Sequence, residues 1–174
     1  FVAILLLTLL VPCVSAEAEK DYSHLKGTTL NVYNWGEYIS DGSDDTLDVN
    51  AEFEKKYGIT VIYSNYESNE NMYNKLSSGG ANYDVIIPSD YMIARLISED
   101  MLSKIDTSSL SNYKYIDKKY KGLFFDKKEQ YTVPYNVGMV GIIYNSALIG
   151  EPQHSWNALW DEKYRNMSLN FNNP

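Results

Sequence analysis

A tryptophan, a glutamate and a tyrosine stand close together in the stretch NVYNWGEYIS, residues 31–40. Trp35 and Tyr38 flank Glu37, and an aromatic pair around a carboxylate can hold an organic cation. An ammonium group over an aromatic face gains roughly 0.5 to 2 kcal/mol, and a nearby carboxylate adds a charge-assisted hydrogen bond. The alternative is ordinary packing of aromatic rings at a strand end, beside a solvated glutamate. The residue types alone favour neither the cation site nor ordinary packing.

The elements that must position these side chains alternate between strands and helices. The pattern predicts strands at residues 28–35, 59–66 and 83–88, and helices at residues 46–57, after a cap at Ser68, and at residues 91–102. Ser43 or Asp44 is the expected cap of the first helix, and Gly58 is expected to end it. This alternation predicts an α/β fold with parallel strands, in which ligands bind beyond the carboxyl ends of the strands.

Each of the three predicted strands ends in a stretch that carries a tyrosine and a carboxylate. The stretches are Trp35-Gly36-Glu37-Tyr38, Tyr66-Glu67-Ser68 and Ser89-Asp90-Tyr91. Because the carboxyl ends of parallel strands meet at one edge of a sheet, the three stretches are predicted to form one rim. Ser89 and Asp90 have a second interpretation, as the N-cap of the third helix, and both roles are compatible.

The second half of the chain gives weaker signals. Residues 103–130 are predicted to be surface turns and short helices. The apolar and β-branched residues 131–145 predict a strand that crosses between two lobes, with a plain core strand as the alternative. Residues 155–164 predict a helix that carries Trp156 and Trp160 four positions apart. Packing of the two tryptophans into a core is the favoured interpretation, and contact with a ligand is the alternative.

Charge and composition exclude several classes of protein. The net charge of −8 disfavours binding to nucleic acid, whereas sixteen tyrosines suit a binding surface. His24 and His154 have no partner at a spacing typical of metal or triad chemistry, and no phosphate-binding loop is present. We therefore expect no catalytic site, no metal and no cofactor. The chain has one cysteine, so its stability does not depend on an internal disulfide.

The first sixteen residues, FVAILLLTLLVPCVSA, are apolar and uncharged. They are too few for a membrane span, which needs about 20 residues, and they suit the core of a secretory signal peptide that is cleaved after Ala16. Leu10-Val11-Pro12-Cys13 offers an alternative, because it resembles a bacterial lipoprotein signal in which Cys13 is lipidated. Both predict a location in the periplasm or at the outside face of the cytoplasmic membrane. Residues 17–27 form a polar lead-in.

Five stretches in combination resemble the spermidine/putrescine-binding proteins of bacterial polyamine ABC transporters. They are LNVYNWGEYIS, FEKKYGITVIYSNYESNENMYNKL, YDVIIPSDYMIARL, YTVPYNVGMVGIIYN and SWNALWDEKYRN, in register from about Leu30 onward. The resemblance implies a two-lobed periplasmic-binding-protein fold of type II. Residues 28–136 would then hold most of the first lobe, and residues 137–174 the crossing strand and the start of the second. It also implies a monomer without catalytic activity that delivers a polyamine to a membrane permease.

The same resemblance assigns roles to individual residues. Trp35 is expected to stack on the methylene chain of the polyamine, and Glu37 and Tyr38 to line the amine pocket. Ser89 and Tyr91 are expected to contact the ligand from the same lobe.

Two places depart from the family pattern. Gly36 stands where the family usually has a threonine or a serine, so a hydroxyl contact is lost. Asn172 and Asn173 stand where the family usually has acids that hold one ammonium group, so Asn173 would bind that end of the ligand more weakly.

Other functions stay open at this point. A solute-binding protein of the same fold for an iron complex, thiamine or a small anion is the nearest alternative, and it should carry Arg, Lys, His or paired tyrosines at these strand ends. A secreted glycosidase that uses a pair of carboxylates comes from another class. A surface or adhesion protein that keeps the fold without transport is a third hypothesis. The sequence does not choose between spermidine and putrescine.

Overall fold

The computed structural model describes residues 20–152 and 154–170, and at their centre lies a three-stranded parallel sheet. The strands are β1 (Thr29–Trp35), β2 (Thr60–Tyr66) and β3 (Val85–Ile86), in the order β2-β1-β3. The helices are α1 (Val49–Tyr57), α2 (Asn69–Ser77), α3 (Asp90–Ser98) and the short α4 (Ser146–Ile149). Short 3-10 helices lie at Ser23–Leu25, Ser43–Asp45, Thr107–Ser109, Ser111–Tyr115, Lys118–Tyr120, Trp156–Trp160 and Glu162–Tyr164. The predicted α/β fold with parallel strands is confirmed.

The register of β1 brings the strand ends to one level. β1 pairs with β2 over its whole length, from Thr29 opposite Thr60 to Trp35 opposite Tyr66. β3 is shorter than the predicted strand 83–88, and just before its start the side chain of Asp84 takes part in the pairing. Its Oδ2 accepts the Asn31 backbone N–H at 2.7 Å, where a regular ladder would use a main-chain carbonyl.

The helix ends follow local capping chemistry. Ser68 accepts a hydrogen bond from the Asn71 N–H at 3.1 Å, and Gly58 ends α1 at a φ of 67°, both as predicted. The prediction for the start of α1 was wrong: Asp48, and not Ser43 or Asp44, caps it by accepting the Ala51 N–H at 2.9 Å. α3 ends at Ser98, short of residue 102, since the chain reverses at Asp100 with a φ of 54°. None of the helices in the described ranges has the length and apolar character of a membrane span.

A small aromatic and thioether core holds α2 and α3 against the sheet. Tyr33, Tyr66, Met72, Met92 and Leu96 form its buried cluster, and Met72 and Leu96 have no exposed surface. Methionine suits such a position because its flexible chain fills irregular gaps and its sulfur packs well against aromatic rings. The Tyr33 and Tyr66 rings meet edge to face with their centroids 4.9 Å apart.

Residues 131–145 do not form the predicted strand. Within the described part of the chain no strand pairs with them, and Met139 and Ile143 are 96% and 100% exposed. A run of β-branched residues favours an extended backbone, but a strand also needs a neighbour that offers main-chain donors and acceptors.

The prediction of one helix at residues 155–164 was also wrong, as was the core packing of its tryptophans. The segment forms two 3-10 helices, and Trp156 and Trp160 are 52% and 76% exposed. Asp161 lies between the two helices in an extended conformation, with a φ of −73° and a ψ of 123°, and its side chain accepts the Lys163 N–H at 3.0 Å. The break at Asp161 prevents a continuous apolar face.

A buried carboxylate organises the loop that leads into residues 131–145. Asp126 is 7% exposed and accepts the backbone N–H groups of Gln130, Tyr131 and Thr132 at 3.0, 2.8 and 3.0 Å. The Thr132 hydroxyl adds a fourth bond at 3.0 Å. Burial by itself raises the pKa of Asp126, but the hydrogen bonds outweigh it, so the pKa lies below the ordinary value of 3.8.

The burial of Leu96 in this core leads to a prediction about stability. Leu96→Ala should lower the free energy of unfolding by about 2 to 5 kcal/mol, because a fully buried side chain leaves a cavity. The matched control is Leu148→Ala in α4, whose side chain is 75% exposed and should change stability by less than about 0.5 kcal/mol. Urea unfolding followed by circular dichroism measures both variants, and equal losses would contradict the core assignment.

The depressed pKa of Asp126 predicts a dependence of stability on pH. The stabilisation by its carboxylate is complete above the unfolded pKa and is lost as the pH falls through the lower folded pKa. Asp126→Asn should therefore lower the unfolding free energy at pH 7 by about 1 to 3 kcal/mol. The difference from the wild type should narrow progressively below a pH of 3.8.

Urea titrations between pH 7 and pH 2.5 measure this effect. Asp45→Asn, which removes an exposed carboxylate, is the control, and its unfolding free energy should change with pH as that of the wild type does. A stability difference for Asp126→Asn that stays constant across this range would contradict the assignment.

Candidate functional site

Trp35 stands at the last position of β1 and is fixed from both sides. Its backbone N–H donates to the Asn34 Oδ1 atom at 2.8 Å, and its backbone carbonyl accepts a hydrogen bond from the Asn65 side-chain amide at 3.0 Å. The Trp35 ring lies 4.7 Å from the Tyr66 ring and 6.0 Å from the Tyr38 ring, measured between centroids. Trp35 packs against the core and is only partly buried, so the ring is held in place and still available to a ligand.

Asn34 supports this strand end from beneath. Its side chain is 1% exposed, and its amide group donates to the Tyr63 hydroxyl at 2.7 Å. With Oδ1 accepting the Trp35 N–H, the buried amide has partners at both ends. A buried polar group satisfied in this way stabilises one orientation of the backbone that carries Trp35.

Tyr66 joins the three strand ends. It ends β2, its ring packs against Trp35, and its hydroxyl donates a hydrogen bond to the carbonyl of Ile87, directly after β3. Tyr66 is 5% exposed, and burial raises the pKa of its phenol, so the hydroxyl keeps its proton at neutral pH. The predicted meeting of the strand ends is confirmed.

Glu37 and Tyr38 lie beyond the end of β1 and are exposed. Together with Asn136 from the segment 131–145, they line an open depression of about 420 Å³. The Tyr135 hydroxyl donates a hydrogen bond to the Tyr38 carbonyl, which holds that segment against the rim. The predicted aromatic pair with its carboxylate is therefore present on the surface, and the contribution of Asn136 and Tyr135 could not be seen in the sequence.

Ser89 and Tyr91 lie at the start of α3 and contact the start of α2. Ser89 occupies the N-cap position of α3, but its side chain makes no capping bond; its Oγ accepts the Asn69 side-chain amide at 3.0 Å. The same amide group donates to the Tyr91 hydroxyl at 2.9 Å, and that hydroxyl donates to Glu70 Oε1 at 2.9 Å. Burial, and to a smaller extent the hydrogen bond with Glu70, raise the pKa of Tyr91.

Asn69 and Glu70 were not among the predicted site residues. Both follow Ser68, and an asparagine and a glutamate in the first turn of a helix are usually solvated. The burial of Asn69, which is 4% exposed, and of the Glu70 Oε2 atom is visible only in three dimensions.

The rim combines aromatic faces with carboxylates. It has no group of three or more His, Cys, Asp or Glu side chains placed to hold a metal, and neither has the remainder of residues 20–152 and 154–170. Asn172 and Asn173, like Cys13 and the residues up to Ala16, lie outside the described ranges. The rim, with its aromatic faces and carboxylates, suits a ligand that carries positive charge on a flexible apolar chain.

Comparisons with known proteins place this geometry in context. The family model for bacterial extracellular solute-binding proteins matches residues 49–172. The spermidine/putrescine-binding periplasmic protein of Salmonella typhimurium is 41% identical over 145 residues, which make up 81% of this chain and 39% of that protein.

Two solved structures have a similar fold. The spermidine/putrescine ABC transporter substrate-binding protein PotD of Streptococcus pneumoniae matches with a TM-score of 0.67 and 35% identity, over 79% of this chain and 41% of that one. The Tp0655 (TpPotD) lipoprotein of Treponema pallidum matches with a TM-score of 0.68 and 30% identity, over 77% and 40% of the two chains. The chain thus spans about two fifths of the length of the relatives that it matches.

The position of Tyr66 yields a prediction about the rim. Tyr66→Phe keeps the ring packing but leaves the Ile87 carbonyl without its donor, which should lower the unfolding free energy by about 1 to 3 kcal/mol. Amide hydrogen exchange should also become faster at the carboxyl ends of β1 and β2. Tyr115→Phe, at a ring that is 76% exposed, is the control. Unchanged exchange in Tyr66→Phe would show that the hydroxyl does not hold the strand ends together.

Proposed function

We propose a function from one premise, namely that this chain belongs to the family of bacterial extracellular solute-binding proteins. The proposed function is to capture a polyamine, spermidine or putrescine, outside the cytoplasm and to deliver it to the permease of an ABC transporter. One observation carries the proposal: the pair of Trp35 and Tyr38 flanks an exposed Glu37 at the carboxyl end of the central strand. The relatives named for spermidine and putrescine support the same ligand.

The chemistry of the rim fits a polyamine in its details. A polyamine alternates ammonium groups with methylene chains, and the Trp35 ring offers an apolar face on which methylenes can stack. Glu37 then supplies a charge-assisted hydrogen bond to an ammonium group, and the aromatic faces add cation–π attraction. Several such contacts reach about −8 kcal/mol, which corresponds to micromolar affinity. The net charge of −8 favours the approach of a cation.

The proposal extends to how the protein is organised. Residues 28–136 are proposed as most of a first lobe, and residues 137–174 as the crossing segment and the start of a second. Ligand would be held between the lobes of a monomer, with Ser89 and Tyr91 contributing from the first and Asn173 from the second. A signal peptide at residues 1–16, or lipidation at Cys13, would place the protein in the periplasm or at the outside face of the cytoplasmic membrane.

No enzymatic activity is proposed, and the relatives from Salmonella typhimurium and Streptococcus pneumoniae are named as binding proteins. The neutral Asn173 is proposed to face one end of the polyamine. Gly36 adds no hydroxyl contact, so affinity would depend more strongly on Trp35 and Glu37.

Calorimetric titration tests this function on the complete gene product. Spermidine or putrescine should bind with a Kd in the micromolar range or tighter, and Trp35→Ala should weaken binding at least about tenfold, or 1.4 kcal/mol, because the stacking face is removed. Trp160→Ala, at a tryptophan that is 76% exposed and outside the rim, should bind like the wild type. A folded wild type that gives no heat with either amine would refute the proposal.

A further inference from the structure

The buried amide of Asn69 has only one possible orientation. Its Oδ1 accepts the backbone N–H of Ser89 at 3.1 Å, and because a backbone N–H can only donate, the carbonyl end must face it. The amide NH₂ is therefore directed to the other side. Its two protons go to the Ser89 Oγ at 3.0 Å and to the Tyr91 hydroxyl at 2.9 Å. Both hydroxyl oxygens are thus acceptors from the same buried group.

The proton of the Tyr91 hydroxyl is also committed. It is donated to Glu70 Oε1 at 2.9 Å, and a tyrosine hydroxyl has no second proton. The other carboxylate oxygen of Glu70, Oε2, is buried and has no hydrogen-bond partner within the described part of the chain. The Glu70 carboxyl group thus lies directly behind the Tyr91 hydroxyl, in the first turn of α2, where the helix dipole favours negative charge.

We propose that Asn69 and Glu70 are positioning residues that fix Tyr91 as a hydrogen-bond acceptor, so that the rim binds ligands through their N–H donors. Tyr91 is 47% exposed, and with its proton held by Glu70 it can offer a ligand only a lone pair. The carboxylate polarises the phenol oxygen and strengthens it as an acceptor. An ammonium group is stabilised by this arrangement, whereas a small anion finds no donor at Tyr91. The inference rests on the proposed function and deepens it, since it names residues that select an amine.

The electrostatics of Tyr91 agree with this geometry. Burial and the hydrogen bond to Glu70 raise the pKa of the phenol, while the hydrogen bond from Asn69 acts in the opposite direction. Glu70 therefore holds the proton on Tyr91 and makes the phenol a poorer acid.

The chain offers a matched control for this pair. Tyr73 donates a hydrogen bond to Glu99 Oε2 at 2.7 Å, so a tyrosine and a glutamate are joined by the same chemistry elsewhere. Glu99 caps the C-terminal end of α3, roughly 12 Å along the helix axis from Tyr91. Glu99→Gln thus removes the same charge and changes the same kind of hydrogen bond outside the rim.

The experiment is a double-mutant cycle on the complete gene product, with putrescine and spermidine as the probes in calorimetric titrations. Glu70→Gln and Tyr91→Phe should each raise Kd at least about tenfold. The double variant should bind as weakly as Tyr91→Phe alone, within about twofold, because Glu70 acts through the Tyr91 hydroxyl. Glu99→Gln should stay within about twofold of the wild type. Thermal unfolding of every variant establishes that it is folded at the temperature of the titration.

A second experiment measures directly how Glu70 affects the pKa of the Tyr91 hydroxyl. In NMR titrations of protein labelled at the tyrosine Cζ carbon, with Tyr91→Phe assigning the signal, Glu70→Gln should lower the pKa of Tyr91 and leave the pKa of Tyr73 unchanged. A purely structural role of Glu70 predicts no such selective shift.

The outcomes separate the two proposals. A wild type that binds neither amine overturns the proposed function. A wild type that binds while Glu70→Gln binds equally well, or while Tyr91→Phe loses nothing, overturns only the role of Asn69 and Glu70. If the effects of the two substitutions on the binding free energy simply add in the double variant, the role of Asn69 and Glu70 is overturned as well. If Glu70→Gln does not fold, Glu70→Asp takes its place, because the shorter carboxylate withdraws from the Tyr91 hydroxyl and should likewise raise Kd. Unchanged binding in that variant would overturn the role of Glu70.

Discussion

The pairing of β1 with a parallel strand on each side is the constraint on which the rest of the structure depends. β1 comes first in the chain and lies in the middle of the sheet, so the chain must cross to one side for β2 and to the other for β3. With all strands parallel, each crossing returns to the same starting edge, and all carboxyl ends lie together. The rim is a direct result, because the parallel ladders bring residues that are far apart in sequence to one edge, where side-chain hydrogen bonds such as that of Tyr66 join them.

Tyrosine serves three different purposes in this arrangement. Tyr33 and Tyr66 use their rings as core hydrophobes, and Tyr33 also stacks on Tyr83 with centroids 4.3 Å apart. Tyr63 uses its hydroxyl to accept a hydrogen bond from a buried amide. Tyr91 uses both the ring and the hydroxyl at the surface. A sheet this small has little aliphatic material, and an amphipathic ring allows the same residue type to build both the core and the rim.

The sequence predicted those features of the fold that depend on neighbours in the chain. The strands β1 and β2, the cap at Ser68 and the turn at Gly58 follow from local sequence, and they were predicted correctly. The gathering of Trp35 and Tyr66 at one edge was also predictable, because it follows from parallel topology. Whether Trp35, Glu37 and Tyr38 bind a ligand stays a prediction.

Features that depend on distant partners were not predictable in the same way. Residues 131–145 have the composition of a strand, but composition carries no information about a pairing neighbour. Asn69 looks like any polar residue at a helix start, and only the approach of Ser89 and Tyr91 from another helix shows that it is a buried hub. Local rules describe the scaffold well, whereas the polar network of the rim is a property of tertiary structure.

The thioethers in the core have a consequence for oxidation chemistry. Met72 and Met92 are 0% and 1% exposed, whereas Met139 is 96% exposed. Peroxide reaches a sulfur atom only where solvent does, and a sulfoxide is too polar for an apolar core. Met139 therefore oxidises as a free side chain would, while Met72 and Met92 react only during excursions that separate α2 and α3 from the sheet. The rate at which these two sulfurs are oxidised thus measures how often the core opens.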